Sequence, residues 1–167
     1  MKKIVMVIVS LLTTFGTFAA NAGGTTTGSI NYYAGTNCNA NSYLDYEYSY
    51  THILNASNTE IHAECPFKTD GAKQAGFWAT VWVLDRHPSK DASCLPFSVP
   101  VTATDIVDEG RFKTRKPTTG DSTTPQKLTF ERVVNDSGWV SSLACYLPRT
   151  YNGRKSGVTG YKIEENY

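Results

Sequence analysis

Period-two alternation of apolar and polar residues recurs along much of the chain, and it limits the fold more than any other feature. In the segment 44–51 one face is apolar or aromatic and the other is polar, which is typical of a half-buried strand. The segment 76–85 is apolar on both faces, which predicts a central strand. No window of helical length has the periodicity of a surface helix. Roughly seven to eight short strands separated by turn residues predict an all-β fold, an antiparallel β-sandwich or a jelly-roll-like fold.

The beginning of the chain has the pattern of an export signal. Lys2 and Lys3 precede an apolar run, and small residues stand at the expected cleavage position before Gly23. Serine and threonine interrupt the run and no charged stop-transfer flank follows, so we expect a cleaved signal peptide over 1–22 and no membrane anchor. Residues 23–167 are then expected to form one β-sandwich domain that is secreted or periplasmic, with no membrane span after signal cleavage.

Four cysteines, Cys38, Cys65, Cys94 and Cys145, lie beyond the predicted signal peptide. An even number of cysteines in an exported chain predicts two disulfides. Metal binding is the alternative, but no two cysteines form the short chelating pair that structural zinc sites use. Four cysteines allow three connectivities, and their spacing does not choose among them. We favour the pairs Cys38–Cys65 and Cys94–Cys145.

The residues around the cysteines carry a resemblance to known sequences. They are "GTNC" at Cys38, "AECPF" at Cys65, "VWVLDRHPSKDASCLPF" leading to Cys94, "LACYLPR" at Cys145 and the ending "GVTGYKIEE". Together they resemble a group of small, exported bacterial proteins of uncharacterised function that share a C…CP…D-R…sC…C-x-lP layout. The resemblance covers roughly residues 35–165, with Pro96 and the dense tyrosines of 43–50 as departures. It implies a disulfide-braced all-β fold and carries over no functional residue.

The charge balance argues against nucleic acid as a partner. Loss of Lys2 and Lys3 lowers the 16 basic residues to 14 against 15 acidic residues, a net charge of −1 with neutral histidines. Phosphate binding needs a positive field, and the basic cluster at 111–116 is typical of a solvated loop.

No catalytic, metal-binding or cofactor-binding signature is present. The histidines His52, His62 and His87 form none of the spacings that place two metal ligands on one face. No serine stands in a nucleophile motif, and oxidised cysteines offer no thiolate. We therefore predict no catalytic residue, no metal ligand and no cofactor, and expect that the chain is not an enzyme.

The loop 83–94 contains the two polar side chains that could still belong to a convergent site, Asp85 and His87. A carboxylate at the end of a strand also suits a turn, because it accepts hydrogen bonds from backbone N–H groups. We expect a structural turn that ends at Cys94. The open question is whether Asp85 and His87 meet another polar side chain in a cleft.

Two sets of aromatic residues are candidates for binding. Trp78 and Trp82 share one face of the predicted strand 76–85, and Tyr46, Tyr48 and Tyr50 share one face of the predicted strand 44–51. Exposed aromatic rings could stack on a sugar chain. For the tryptophans we favour the core between two sheets, because buried tryptophan is common in sandwich cores. For the tyrosines an exposed strip is the better hypothesis, since their hydroxyl groups tolerate water.

The sequence therefore predicts an exported, non-enzymatic binding or structural domain whose partner is a glycan or a protein. One alternative is a pilin-like or adhesin subunit that assembles by strand addition, suggested by the segment "TTTGSINYYAGTNC". A periplasmic enzyme inhibitor is a second alternative, and a hydrolase is the least favoured.

Overall fold

The computed structural model of the protein describes residues 29–41, 46–69, 76–102, 110–136 and 138–166. These residues contain twelve strands and one 3-10 turn, Gly35–Asn37. The strands are β1 (Ile30–Ala34), β2 (Asn39–Ala40), β3 (Tyr46–Ser49), β4 (His52–Asn55), β5 (Ile61–Phe67), β6 (Gly76–Leu84), β7 (Ser93–Pro100), β8 (Arg111–Phe112), β9 (Lys116–Pro117), β10 (Gln126–Val134), β11 (Trp139–Leu147) and β12 (Gly157–Asn166).

The strands form two antiparallel sheets that pack face to face. The first sheet has the order β10–β6–β12–β4–β3, and β1 also pairs with β12. The second has the order β2–β5–β11–β7–β8, and β9 also pairs with β7. The predicted all-β sandwich is confirmed. The strand number is higher than predicted for two reasons. β2, β8 and β9 have only two residues each, too few to produce an alternation pattern, and the tyrosine-rich segment predicted as one strand contains β3 and β4.

The core lies between the two sheets and is built from their alternate residues. The largest side chains in it include Tyr161, Phe77, Phe130, Ile53, Leu143, Leu147 and Ile163. Tyr161 of the first sheet donates a hydrogen bond of 2.7 Å from its hydroxyl group to the carbonyl oxygen of Pro66 in the second. Burial raises the pKa of the Tyr161 phenol well above its usual value, so this bond persists over the whole neutral range.

Both favoured disulfides are confirmed. Cys38 is bonded to Cys65, and Cys94 is bonded to Cys145, so none of these sulfur atoms is free to hold a metal ion. Cys94 and Cys145 face each other across β7 and β11, which makes this disulfide a cross-strand link inside the second sheet. All four side chains are fully buried.

The tyrosine-rich segment is a hairpin rather than one continuous strand. β3 ends at Ser49, β4 begins at His52, and Tyr50 occupies the turn with a φ of 53°. The expectation that Tyr50 continues the face of Tyr46 and Tyr48 is therefore wrong. The alternation of apolar and polar residues does not reveal a positive φ at a tyrosine, so it does not predict this turn.

A β-bulge changes the direction of side chains on β10. Simple alternation from Leu128 and Phe130 would place Arg132 in the core. The register shifts between Phe130 and Val133, so Val133 takes the buried inner position and Arg132 is exposed on the outer face.

The edge strand β1 is already paired inside this chain. Its residues Ile30–Ala34 pair with Gly160–Glu164 of β12. This pairing removes the main observation behind the strand-addition alternative, since the described part of that segment is not a free donor strand.

The predicted signal peptide 1–22 and the boundary at Gly23 lie outside the described residues. In the part of the chain that the structure describes, no helix is long and apolar enough to cross a membrane.

Candidate functional site

Trp78 and Trp82 lie on the outer face of the first sheet, not in the core. The inner face of β6 is formed by the fully buried side chains of Phe77, Ala79, Val81 and Val83. The two indole rings point the other way and are only half-buried. The expectation that they fill the space between the sheets is therefore wrong. β6 is apolar on both faces because one face packs in the core and the other carries the two half-buried tryptophans.

The two tryptophans are spaced along the strand with Thr80 between them. Four residues of an extended strand put their Cα atoms about 13 Å apart. Thr80 is only 2% exposed, so the short side chain forms a floor between two taller rings. We call this surface, defined by Trp78, Thr80 and Trp82, the tryptophan face.

Charged side chains border the Trp78 end of the tryptophan face. The Arg132 guanidinium lies 5.9 Å from the centre of a Trp78 ring, a cation–π distance made possible by the bulge in β10. Glu164 is the register partner of Trp78 on β12, and its carboxylate forms a 2.7 Å ion pair with Lys162. The Arg132 contact therefore packs a positive charge against the Trp78 ring, and the ion pair of β12 lies beside it.

Trp82 has fewer side chains around its ring than Trp78 has. Its register partner on β12 is Gly160, which has no side chain to cover the indole. On β10 the partner is Lys127, an exposed residue with a flexible side chain. A planar ligand can therefore approach the Trp82 ring from the side of β12.

A cavity of about 510 Å³ lies on the same side of the sheet, beyond Trp82. Leu84 continues the outward alternation of β6 and lines this cavity, and Arg86 follows two residues later. Other residues of the lining include Glu47, His52, Leu54 and Lys155. The cavity thus extends the tryptophan face with a mixture of apolar and charged groups, a composition typical of ligand sites.

Arg86 is the cation of this cavity that has no acidic partner among the described residues. The other cation, Lys155, forms a 2.7 Å ion pair with Glu47. The described ion pairs do not include Arg86, and its buried Nε atom has no hydrogen-bond partner there. The guanidinium therefore keeps its capacity to bind an anion.

Asp85 is fully buried and organises the loop that carries Arg86. Its Oδ1 atom accepts hydrogen bonds from the His87 amide at 3.1 Å and the Ser156 hydroxyl at 3.3 Å. Its Oδ2 atom accepts from the Ala92 amide at 2.9 Å and from the Thr118 hydroxyl. Asp85 does meet other polar side chains, but at a buried place in the loop where a substrate cannot reach.

His87 is also buried, at 2% exposure. Its Nδ1 atom accepts a 3.2 Å hydrogen bond from the Ser89 amide, and its ring packs 5.2 Å from that of Tyr151. Among the described residues its Nε2 atom bonds to no serine hydroxyl. The arrangement is that of a structural turn, as predicted, and it lacks the nucleophile–base contact of a catalytic triad.

The three candidate tyrosines do not join the tryptophan face. Tyr46 packs against the core, and Tyr48 donates a 3.0 Å hydrogen bond from its hydroxyl group to the Cys38 carbonyl. Burial raises the pKa of the Tyr48 phenol above its usual value, and the neighbouring Tyr46 adds to the effect. Tyr50 is 98% exposed in its turn. An exposed strip of three tyrosines is therefore not formed.

The second sheet has a concave surface of its own on its outer side. This cavity of about 480 Å³ is mostly apolar, and its walls include the stacked rings of Phe97 and Phe112. The rings of His62 and Tyr146 stack there as well, 4.9 Å apart. It lies on the opposite side of the sandwich from the tryptophan face and supplies an internal comparison for binding experiments.

Asp85 and His87 are the candidate polar residues that the sequence indicates in this loop, whereas Arg86 between them is not among the candidates. Because both side chains point into the protein, Arg86 points out into the cavity. One signal could have identified it: the outward set that begins with Trp78 continues at every second position to Arg86. His52 and Lys155 reach the same cavity from other strands and loops, which no local pattern indicates.

No three acidic, histidine or cysteine side chains of the described ranges are close enough to hold a metal ion.

Comparison with known proteins shows the fold and no family. No protein-family model matches the sequence, and no curated protein matches it, so membership of the cysteine-defined group stays a prediction. Among solved structures, the chain is similar to the xylan-binding module CBM15 at 11% identity, with 82% of this chain and 96% of that chain covered and a TM-score of 0.50.

Two further solved structures are similar at lower scores. The family 35 carbohydrate-binding module from Clostridium thermocellum has 15% identity, covers 81% of this chain and 97% of its own, and gives a TM-score of 0.42. TmCBM61 in complex with β-1,4-galactotriose has 8% identity, with 80% and 86% covered and a TM-score of 0.44. Of these three likenesses, the one to the xylan-binding module is strong enough to use, and it establishes a shared β-sandwich fold.

Proposed function

We propose that this chain is an exported, non-enzymatic domain that binds a glycan through the tryptophan face. The observation that carries the proposal is the half-buried position of Trp78 and Trp82 on the outer face of one sheet. Large indole rings are costly to leave in water, and each offers a flat apolar surface to the C–H face of a sugar ring. Their separation suits an extended sugar chain better than a single sugar.

Other features support the same proposal. The two disulfides are typical of proteins that work outside the reducing cytoplasm. The polar groups that sequence analysis singled out, Asp85 and His87, serve the loop and leave no exposed acid–base pair there. The xylan-binding module CBM15 has the same fold, which makes xylan the first polysaccharide to test.

Alanine substitution of the tryptophans is expected to weaken glycan binding without unfolding the protein. Each of Trp78→Ala and Trp82→Ala should raise the Kd for a bound oligosaccharide about tenfold or more, because aromatic anchors dominate binding energy at such sites. The measurement is isothermal titration calorimetry with xylohexaose, cellohexaose and mannohexaose. Circular dichroism melting checks that both variants are folded.

Two matched variants control this experiment. Trp139→Ala removes the third tryptophan, which lies on β11 of the second sheet, and Phe112→Ala opens the apolar cavity there. Neither should change the Kd. Glycan binding that is lost in Phe112→Ala and kept in the Trp82→Ala variant would contradict the proposal and move the site to the second sheet.

A further inference from the structure

We propose that the cavity beyond Trp82 binds the carboxylate of an acidic sugar through Arg86, so that the preferred glycan carries uronic acid units. This inference rests on the proposed function and specifies its ligand class. It assigns a charged subsite to a surface whose other half is aromatic.

The position of Arg86 makes the subsite continuous with the tryptophan face. Trp82, Leu84 and Arg86 occupy alternate positions along β6 and its extension, and Leu84 and Arg86 line the same cavity. A sugar chain stacked on Trp82 and running along the strand therefore reaches the guanidinium within a few sugar units.

The charges in the cavity favour an anion. Lys155 and Glu47 neutralise each other in their ion pair, and His52 interacts through Nδ1 with the Ser49 carbonyl at 3.0 Å. The neighbouring Asp85 forms no ion pair with Arg86, because its two oxygen atoms accept hydrogen bonds from the amides and hydroxyl groups of the loop. The Arg86 guanidinium is therefore available to pair with the carboxylate of a ligand.

The backbone around Arg86 is held firmly. The Arg86 amide donates a 2.9 Å hydrogen bond to the Ser156 hydroxyl, which itself donates to Asp85. A fixed backbone lowers the entropy lost when the side chain binds. The planar guanidinium fork matches a carboxylate in two parallel hydrogen bonds.

The size and composition of the cavity fit one acidic sugar unit or branch. Its volume of about 510 Å³ is in the range of small-molecule sites. Leu54 and Leu84 provide an apolar wall for the sugar ring, and Arg86 lines the cavity beside them, where the outer N–H groups of its guanidinium can bind a carboxylate.

The test compares acidic and neutral chains on wild type and on Arg86→Gln. The probes are hexagalacturonate, a xylo-oligosaccharide with a glucuronate branch, unbranched xylohexaose and dextran sulfate. We expect at least one uronate probe to bind more tightly than xylohexaose, and Arg86→Gln to raise its Kd about tenfold to a hundredfold. The Kd for xylohexaose should stay unchanged. Arg111→Gln, on β8 of the second sheet, is the matched control and should change neither value.

The outcomes separate this inference from the proposed function. If xylohexaose binds as tightly as the uronate probes and Arg86→Gln changes nothing, the subsite is wrong and the tryptophan face remains. If no probe binds, or if Trp82→Ala has no effect on any of them, glycan binding itself is wrong. Equal binding of dextran sulfate, lost equally in Arg86→Gln, would overturn carboxylate recognition in favour of a general attraction to anions. Melting temperatures of both arginine variants near that of wild type exclude unfolding as the cause.

Discussion

Asp85→Ala is expected to lower the free energy of unfolding by about 4 kcal/mol. The carboxylate is fully buried and accepts four hydrogen bonds, two from backbone amides and two from hydroxyl groups. Its removal leaves the amides of His87 and Ala92 without these partners in a buried place, while the Thr118 hydroxyl can still donate to the Ala92 carbonyl at 3.0 Å. This decrease in the free energy of unfolding is large for a single substitution, because several buried hydrogen-bond donors are affected together.

The measurement is urea denaturation followed by tryptophan fluorescence, with Asp91→Ala as the matched control. Asp91 belongs to the same loop but is exposed, and its described bond is a 3.0 Å contact from the Gly120 amide. Its substitution should cost less than about 1 kcal/mol. An Asp85→Ala variant as stable as Asp91→Ala would show that the network contributes little, and Arg86 would then have no fixed support.

The main architecture could be predicted from the sequence because its causes are local. Alternation in strands such as β6 and β12 follows from the period of extended backbone, and it separates the two faces of each strand, but it does not show which face of β6 is the inner one. The export-signal pattern and the even cysteine number predicted two disulfides, and the favoured pairs are those observed.

What could not be predicted depends on contacts between distant segments. The two-residue strand β8 exists because β7 offers it an edge, and nothing in its own two residues indicates this. The turn at Tyr50 and the bulge before Val133 each interrupt an alternation that would otherwise continue. Such irregularities are set by tertiary packing, which overrides local preference.

The candidate site also combines features that the local sequence predicts with features that depend on the whole fold. The sequence placed Trp78 and Trp82 on one face, but it could not tell whether another layer covers that face. Whether an aromatic pair is core or surface depends on where the second sheet packs, which is a property of the whole fold. Arg86 was hidden for a related reason, since its value comes from a cavity formed with β3 and β4.

Removal of the disulfide between Cys94 and Cys145 is expected to lower the free energy of unfolding by about 4 kcal/mol. The two cysteines are separated by 51 residues, so the bond removes much of the freedom of the unfolded chain. The Cys38–Cys65 bond closes a shorter segment, with a separation of 27, and its loss should cost about 3.5 kcal/mol. Double alanine variants are measured by urea denaturation under oxidising conditions, where the other disulfide stays intact.

The same two variants also test whether the binding surface depends on the covalent links. Both disulfides involve the second sheet, at β5 and at β7–β11, whereas Trp78 and Trp82 lie on β6 of the first sheet. Molecules that remain folded should therefore bind the oligosaccharide with the wild-type Kd, and only the folded fraction should fall as urea is added. If Cys94→Ala/Cys145→Ala weakened binding at urea concentrations where the variant is fully folded, the two sheets would be coupled through the core. Two contacts could transmit such a shift from β5. One is the Tyr161 hydroxyl, which bonds to Pro66 and lies on β12 next to the register partner of Trp82. The other is Phe67, whose ring packs 4.8 Å from that of Phe77 on β6.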